Sequence, residues 1–376
     1  MRFAPLSLIL TFIIAQSGGQ LIAIWPRSAQ SASNTSSQQK HHTKRPRPEA
    51  KTGPQYDAYS KDVRQHWVSD DYAWLESEAW KLRKAKERLP GGYWKLRVLY
   101  DSIEGTVDSD SSDESYKEHI ERVEKWITQR SGCVMARILL ADAWLSYAWK
   151  ARGTDYASKV ERENWLLFKE RLRRANEVLA EAFSLQEKCP ELYVTALMTS
   201  LGNGGDRQAF EELFEQGVGR EPTYYYLYNA KAMYLLPQWY GEAGEWERFA
   251  EDSANKVGGE QGDIILFAVY TRMMQLQNNN VEFMQKHQAI APRLLEGFKA
   301  IDKLYGSSPQ RLNQACFISF SSDDNTTPAE LMKRIGDDSD LSVWRDASTF
   351  NVFRQEALMR IGELPRYRNP AAGQKP

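Results

Sequence analysis

The chain has 376 residues, 42% hydrophobic and 26% charged, which is the composition of a soluble globular protein with ample material for a core. Residues 1–50 carry six Lys/Arg against Glu49, leaving 43 basic and 49 acidic groups, a body of net charge −6; such a body has no electrostatic footprint for nucleic acid. Cys133, Cys189 and Cys316 are too few for a disulfide framework and too widely spaced for a zinc pattern. Each sits beside apolar residues, which predicts buried free thiols. One disulfide with a thiol left over is the alternative in an oxidising compartment.

Met1 and Arg2 lead into an apolar run over residues 3–15, the pattern of an export signal, with small residues for cleavage at Ala15 and Ser17 or at Ala29 and Ser31. The chain is therefore expected to be exported to the periplasm or outside the cell. The alternative joins residues 3–25 into an inner-membrane anchor, against which stand the polar and Gly residues at 16–20. The predicted organisation is a signal or anchor over 1–31, a Ser/Gln/Lys/Pro-rich disordered linker over 32–60, a helical domain over 61–362 and a loose tail over 363–376. Order is expected to begin near Val63.

Trp67, Tyr72, Leu75, Ala79 and Leu82 lie on one helical face, with Asp70 or Asp71 as the cap. Pro90, Gly91 and Gly92 end that helix, and a second starts over 93–103. Residues 105–115 form an acidic loop. Counting from Asp108, however, the sixth position is Asp113 rather than Gly and the twelfth is His119 rather than Glu, so the loop reads as solvated rather than calcium-binding.

Longer helices are predicted over 116–130 and 133–152, the latter punctuated by Gly153. Pairs follow at 162–186 with 190–201, 207–218 with 224–236, 246–257 with 263–276, and 281–304 with 309–320, and segments 328–335 and 341–361 complete the series. The second members start near Pro190, Pro222, Asp263 and Pro309, at offsets of 32, 41 and 46, in the range of helical repeats. No stretch alternates with period two, so sheet is not expected. The fold class is all-α, an irregular α-solenoid of stacked helix-turn-helix pairs, tetratricopeptide-like in its first period.

Residues 222–246 form the most aromatic stretch. Tyr224, Leu227, Tyr228, Ala230, Tyr234 and Leu235 give two apolar stripes, Pro237 stops the helix, and Gly241 and Gly244 free the turn. Trp239 is expected to be mostly buried there, between the helix that ends at Leu236 and the one carrying Trp246 and Phe249.

Phosphate loops, nucleophile elbows and histidine metal motifs are absent from the sequence, so no cofactor or metal is predicted. Two stretches stand out: Trp144, Trp149 and Arg152 at one helix end, and Trp239, Tyr240 and Glu242 in the turn. Guanidinium and aromatic faces together can stack on a peptide or an anion. Packing between repeats and capping by Arg152 is the alternative.

Residues 148–153 (Ala-Trp-Lys-Ala-Arg-Gly) and 237–242 (Pro-Gln-Trp-Tyr-Gly-Glu) resemble a bacterial helical family, number 4034 in the domain-of-unknown-function series. That family tends to show a Trp-x-Ala-Arg-Gly helix end and a later Pro-Arg-Trp-Gly-Gly-Ser turn. Here Gln238 stands for the Arg and Tyr240 for the first Gly. The resemblance, over about 63–360, implies helical repeats, bacterial origin and frequent export, and it supplies no activity. A non-catalytic scaffold that binds a protein or peptide is the expected function. An enzyme with a Trp/Arg/carboxylate site at helix ends is the rival, and a membrane-tethered scaffold is a third reading, which requires residues 3–25 to be retained.

Overall fold

The computed structural model describes residues 50–153, 157–204, 206–277, 279–322 and 324–364. The expected signal, the linker up to residue 49 and most of the tail lie outside them. Seventeen α-helices and one two-stranded hairpin make up the described residues. The helices are α1 (Pro54–Val68), α2 (Tyr72–Ala85), α3 (Lys95–Glu104), α4 (Asp113–Gln129), α5 (Val134–Arg152), α6 (Arg162–Ser184), α7 (Pro190–Asn203), α8 (Arg207–Arg220) and α9 (Tyr225–Tyr234). They continue as α10 (Glu245–Val257), α11 (Gly259–Leu276), α12 (Asn280–Lys286), α13 (Ala291–Tyr305), α14 (Pro309–Ser319), α15 (Thr326–Ile335), α16 (Leu341–Trp344) and α17 (Ala347–Arg360).

The chain is all-α and solenoid-like, as its periodicity requires. Helix starts coincide with chemistry that satisfies free N–H groups. The Asp71 side chain accepts from the Trp74 N–H at 3.2 Å, Asp206 from Ala209 and Ser308 from Arg311, while Pro190 and Pro309 occupy first-turn positions. Gly153 ends α5 with φ of 70°.

Helices α3, α5, α7, α9 and α11 pack side by side in succession, and α2, α4, α6, α8 and α10 each lean on that row. A continuous row with separated partners behind it is the inner layer of a curved array. Backbones meet where side chains vanish: a Cβ on Gly297 of α13 would stand 2.2 Å from the Asp263 carbonyl oxygen of α11, so only glycine fits. The three thiols are free, with Cys189 and Cys316 buried and Cys133 half-buried.

Five expectations are corrected. Order reaches back to α1, whose buried face is Ser60, Val63 and Trp67, so the predicted linker cannot extend to residue 60. The segment 281–304 divides into α12, a 3-10 turn and α13, and Arg345, at φ of 74°, separates α16 from α17. A short hairpin, β1 (Arg88–Leu89) with β2 (Tyr93–Trp94), stands where no sheet was expected, Arg88 opposite Trp94. Finally, Trp239 is half-buried and packs elsewhere, as described below.

The two ends of the array touch. The Lys51 N–H donates to Asp340 Oδ2 at 3.0 Å across 289 residues, and its carbonyl accepts from Gln310 N–H at 2.8 Å. The Gly91 N–H donates to the Gly306 carbonyl at 2.7 Å.

Candidate binding face

Each of four inner helices carries a partly covered stripe. On α3 it is Arg97, Asp101 and Glu104; on α5, Asp142, Ser146 and Trp149; on α7, Glu191, Val194 and Met198; on α9, Tyr226 and Met233. The spacings of three, four and seven place each set on one side of its helix. All are half-buried except Glu191, which is fully buried.

The N-terminal end of this face is acidic. Arg97 Nη2 lies 2.6 Å from Asp101 Oδ1 and 2.8 Å from Glu104 Oε2, and its Nη1 lies 2.7 Å from Glu191 Oε2. The other Glu191 oxygen accepts from the Tyr224 hydroxyl, and Asp142 is hydrogen-bonded by Ser146. Glu104 Oε1 is buried with no hydrogen-bond partner among the described residues. One guanidinium thus pairs with three carboxylates, with a fourth, Asp142, near enough to feel its charge.

Burial of a charge in low dielectric favours the neutral acid. It pushes Glu191 up to about 7, with Arg97 opposing, and Asp142 up to about 6, with Arg97 opposing and Asp101 adding. Burial likewise holds Glu104 well above the ordinary carboxylate range. For Arg97 burial works against the charge, but Asp101, Glu104 and Glu191 overcome it and keep it firmly protonated.

The other end is aromatic. Trp149 meets Trp239 edge-to-face at 5.6 Å and Phe168 at 5.0 Å, and Trp165 joins at 5.6 Å from Phe168. The Arg152 guanidinium stands 6.0 Å from the Trp149 ring and 5.8 Å from that of Trp165, and donates to the Gly153 carbonyl at 3.0 Å. Tyr240 stacks on Tyr234 at 4.8 Å and donates to the Leu201 carbonyl at 3.1 Å. The 237–244 turn is tight enough to aim these rings inward. The Trp239 N–H bonds Leu236 at 2.8 Å, and a Cβ on Gly241 would sit 1.9 Å from the Leu235 carbonyl oxygen.

Of the residues the sequence singles out, Trp149 is therefore brought together with Arg152 and Trp239, while Tyr240 packs on Tyr234. Trp239 faces Trp149 across the array, whereas Trp246 packs on Tyr270 and Phe249 on Phe214. Trp144 points the other way, into an outer groove of about 540 Å³ beside Ile127, Leu140 and Val178. Glu242 is exposed, and its backbone pairs with Glu245: its N–H donates to the Glu245 carboxylate at 2.9 Å and its carbonyl accepts from the Glu245 N–H at 3.1 Å.

Sequence reading missed the acidic end. Its one legible signal is Asp142, a lone charge between Arg137 and Lys150 in an otherwise apolar or small helix. In the 105–115 loop, Asp108 accepts from Asp110 N–H at 3.0 Å and Ser111 N–H at 2.9 Å, so its own backbone fills the place of a cation. No cluster of three metal-ligating side chains occurs among the described residues, and no helix there is long and apolar enough to cross a membrane.

No family model, characterised protein or solved structure matches this chain.

Proposed function

We propose that the chain is an exported, non-catalytic helical-repeat scaffold whose inner face binds a protein or peptide segment carrying a basic side chain next to apolar ones. The observation that carries this is the pairing of ends on one face. An under-neutralised carboxylate group around Arg97 lies at one end, Trp149 and Trp239 at the other, and Val194, Met198 and Met233 belong to the stripes between. A cation supplies the charge the carboxylates lack, and half-buried apolar side chains gain by being covered. The export part of the reading rests on residues 1–15; intact mass of the mature protein tells cleavage from a retained anchor.

Fluorescence anisotropy with two labelled peptides of equal length tests the binding. One interleaves Lys or Arg with Leu and Trp; the other has Glu at the basic positions. The basic peptide is expected to bind, and Asp101→Asn and Trp149→Ala are each expected to weaken it fivefold or more. Equal affinity for both peptides, or no affinity for either, sinks the reading.

One observation favours a catalytic alternative: Asp142 and Glu191 titrate near neutrality, which suits a general acid. Turnover on a panel of glycoside and peptide substrates, lost in Asp142→Asn with melting unchanged, would decide for it.

A further inference from the structure

Behind the acidic end, on the far side of Tyr224, Tyr225 and Tyr226, lie two guanidinium groups of a different kind. Arg311 of α14 is 7% exposed. Its Nε donates to the Gly91 carbonyl at 3.3 Å, and its Nη1 to Thr271 Oγ1 at 3.2 Å and Gln314 Oε1 at 3.1 Å. Arg88 of β1 lies flat on the Trp94 ring at 3.4 Å and reaches the Gly92 and Thr223 carbonyls at 3.4 and 3.5 Å. Both guanidinium carbons stand 6.0 Å from the Tyr225 ring, and both hold carbonyls of the same glycine pair. They share one small region.

The carbonyl, hydroxyl and amide oxygens that accept from these two arginines are all neutral, and neither arginine has a carboxylate within ion-pair distance among the described residues. The acids on adjoining elements are taken. Glu221 is held by Lys86 Nζ at 2.6 Å and by Thr223 at 2.8 Å, and Asp340 by the N–H groups of Lys51 at 3.0 Å and Ser342 at 2.9 Å. Tyr93, at 3.2 Å from Ser308 and 2.6 Å from Gln310, is kept neutral by burial, which pushes its hydroxyl up to about 12.

Three buried donors in the same region have no partner among the described residues: Arg88 Nε, Trp94 Nε1 and Gln314 Nε2. Trp94 is 2% exposed and Gln314 not at all. A buried carboxylate can shed its charge by taking a proton, but a guanidinium cannot lose one in a protein. A buried charge needs a counter-charge. Buried Arg311, half-exposed Arg88 with its idle Nε, and the idle N–H donors of Trp94 and Gln314 describe half of a site, complete except for an anion.

The geometry points to an oxyanion-binding site formed by Arg88 and Arg311, with Trp94 and Gln314 as further donors, for a ligand bearing one carboxylate or phosphate group. Arginine forks match the oxygens of both groups. The way in lies along the hairpin edge, where Arg88, Leu89, Pro90, Thr223 and Tyr305 remain half-exposed. This site is separate from the inner face and stands or falls without it.

Isothermal titration of the mature chain with inorganic phosphate and, separately, with acetate, at constant ionic strength set by chloride, tests the assignment. Saturable binding of at least one oxyanion is expected, weakened tenfold or more in Arg88→Gln and in Arg311→Met. Phosphate alone binding identifies a phosphoryl ligand, and acetate alone a carboxylate. Circular dichroism checks folding; should Arg311→Met fail to fold, Arg88→Gln, on the half-exposed hairpin, decides by itself. No saturable heat from either anion, or unchanged affinity in the folded variants, overturns the assignment.

Discussion

The two charged regions on either side of Tyr224–Tyr226 carry opposite excesses. One gathers Asp101, Glu104, Asp142 and Glu191 around Arg97; the other holds Arg88 and Arg311 with no carboxylate at ion-pair distance among the described residues, the nearby Glu221 being held by Lys86. The tyrosines keep them apart through neutral bonds: Tyr224 to Glu191, Tyr225 to Tyr226 at 3.2 Å, and Tyr225 to the Gly92 carbonyl at 3.3 Å. The difference teaches how a fold tolerates buried charge. Acids can change protonation, so the first region can be balanced by solvent protons as well as by a bound cation. Arginines have no such recourse, so the second is balanced only by something bound.

The sharpest way to break this contrast is to remove the cation from each side. Arg97→Met leaves buried carboxylates without their partner, and breaking such a group costs about 3–5 kcal/mol. The loss should be large by denaturant melts at pH 7.5 and clearly smaller at pH 5, where the acids hold protons. Arg311→Met removes a charge that had no ionic partner, and it should cost far less, about 1 kcal/mol, with no dependence on pH between 5 and 8. Equal losses, or a pH effect in Arg311→Met alone, contradict the picture.

A smaller effect tests the sign on the acidic side. Glu191 is raised to about 7 and Asp142 to about 6, so the folded chain keeps protons that the unfolded chain has released by about pH 5. Their contribution is fully present below the unfolded values and is lost as pH rises through 6 and 7. Relative to Glu191→Gln, the parent should therefore lose melting temperature as pH climbs from 4.5 to 7.5. A gap that stays constant across that range removes Glu191 from the titrating group.

The smallest effect concerns the aromatic end. Trp149→Ala and Trp239→Ala should show a coupling of about 0.5–1.5 kcal/mol in a double-mutant cycle, as edge-to-face rings do. Strict additivity means that the two rings merely share a neighbourhood.

The architecture was legible because it rests on local rules. Pro190 and Pro309 open α7 and α14, Gly153 closes α5, and apolar spacing marks each helix between. α1 escaped because its buried side offers only Ser60, Val63 and Trp67 within a polar, Tyr-rich stretch that follows a Pro/Ser-rich one. The aromatic end was half legible. The dense Trp and Tyr content drew attention to Trp149 and Trp239, but nothing local says that two rings 90 residues apart touch. The acidic end was illegible for the same reason in stronger form: Arg97 and Glu191 meet across 94 residues, on helices whose surface charges look ordinary one at a time.

The contact between the first and last units changes how the molecule holds together over time. An open stack of repeats is a spring, with stability summed along neighbours, fraying ends, and folding that can begin anywhere and spread. Here the segment before α1 is bonded to the turns around α14 and α16, and the hairpin to the start of α14, so the first unit is not free to fray by itself. Closing those contacts requires bringing together the most distant parts of the chain, a loop-closure cost that slows folding but rewards completion. The curvature is thereby locked, and the repeats are expected to melt as one cooperative unit rather than peel away in sequence.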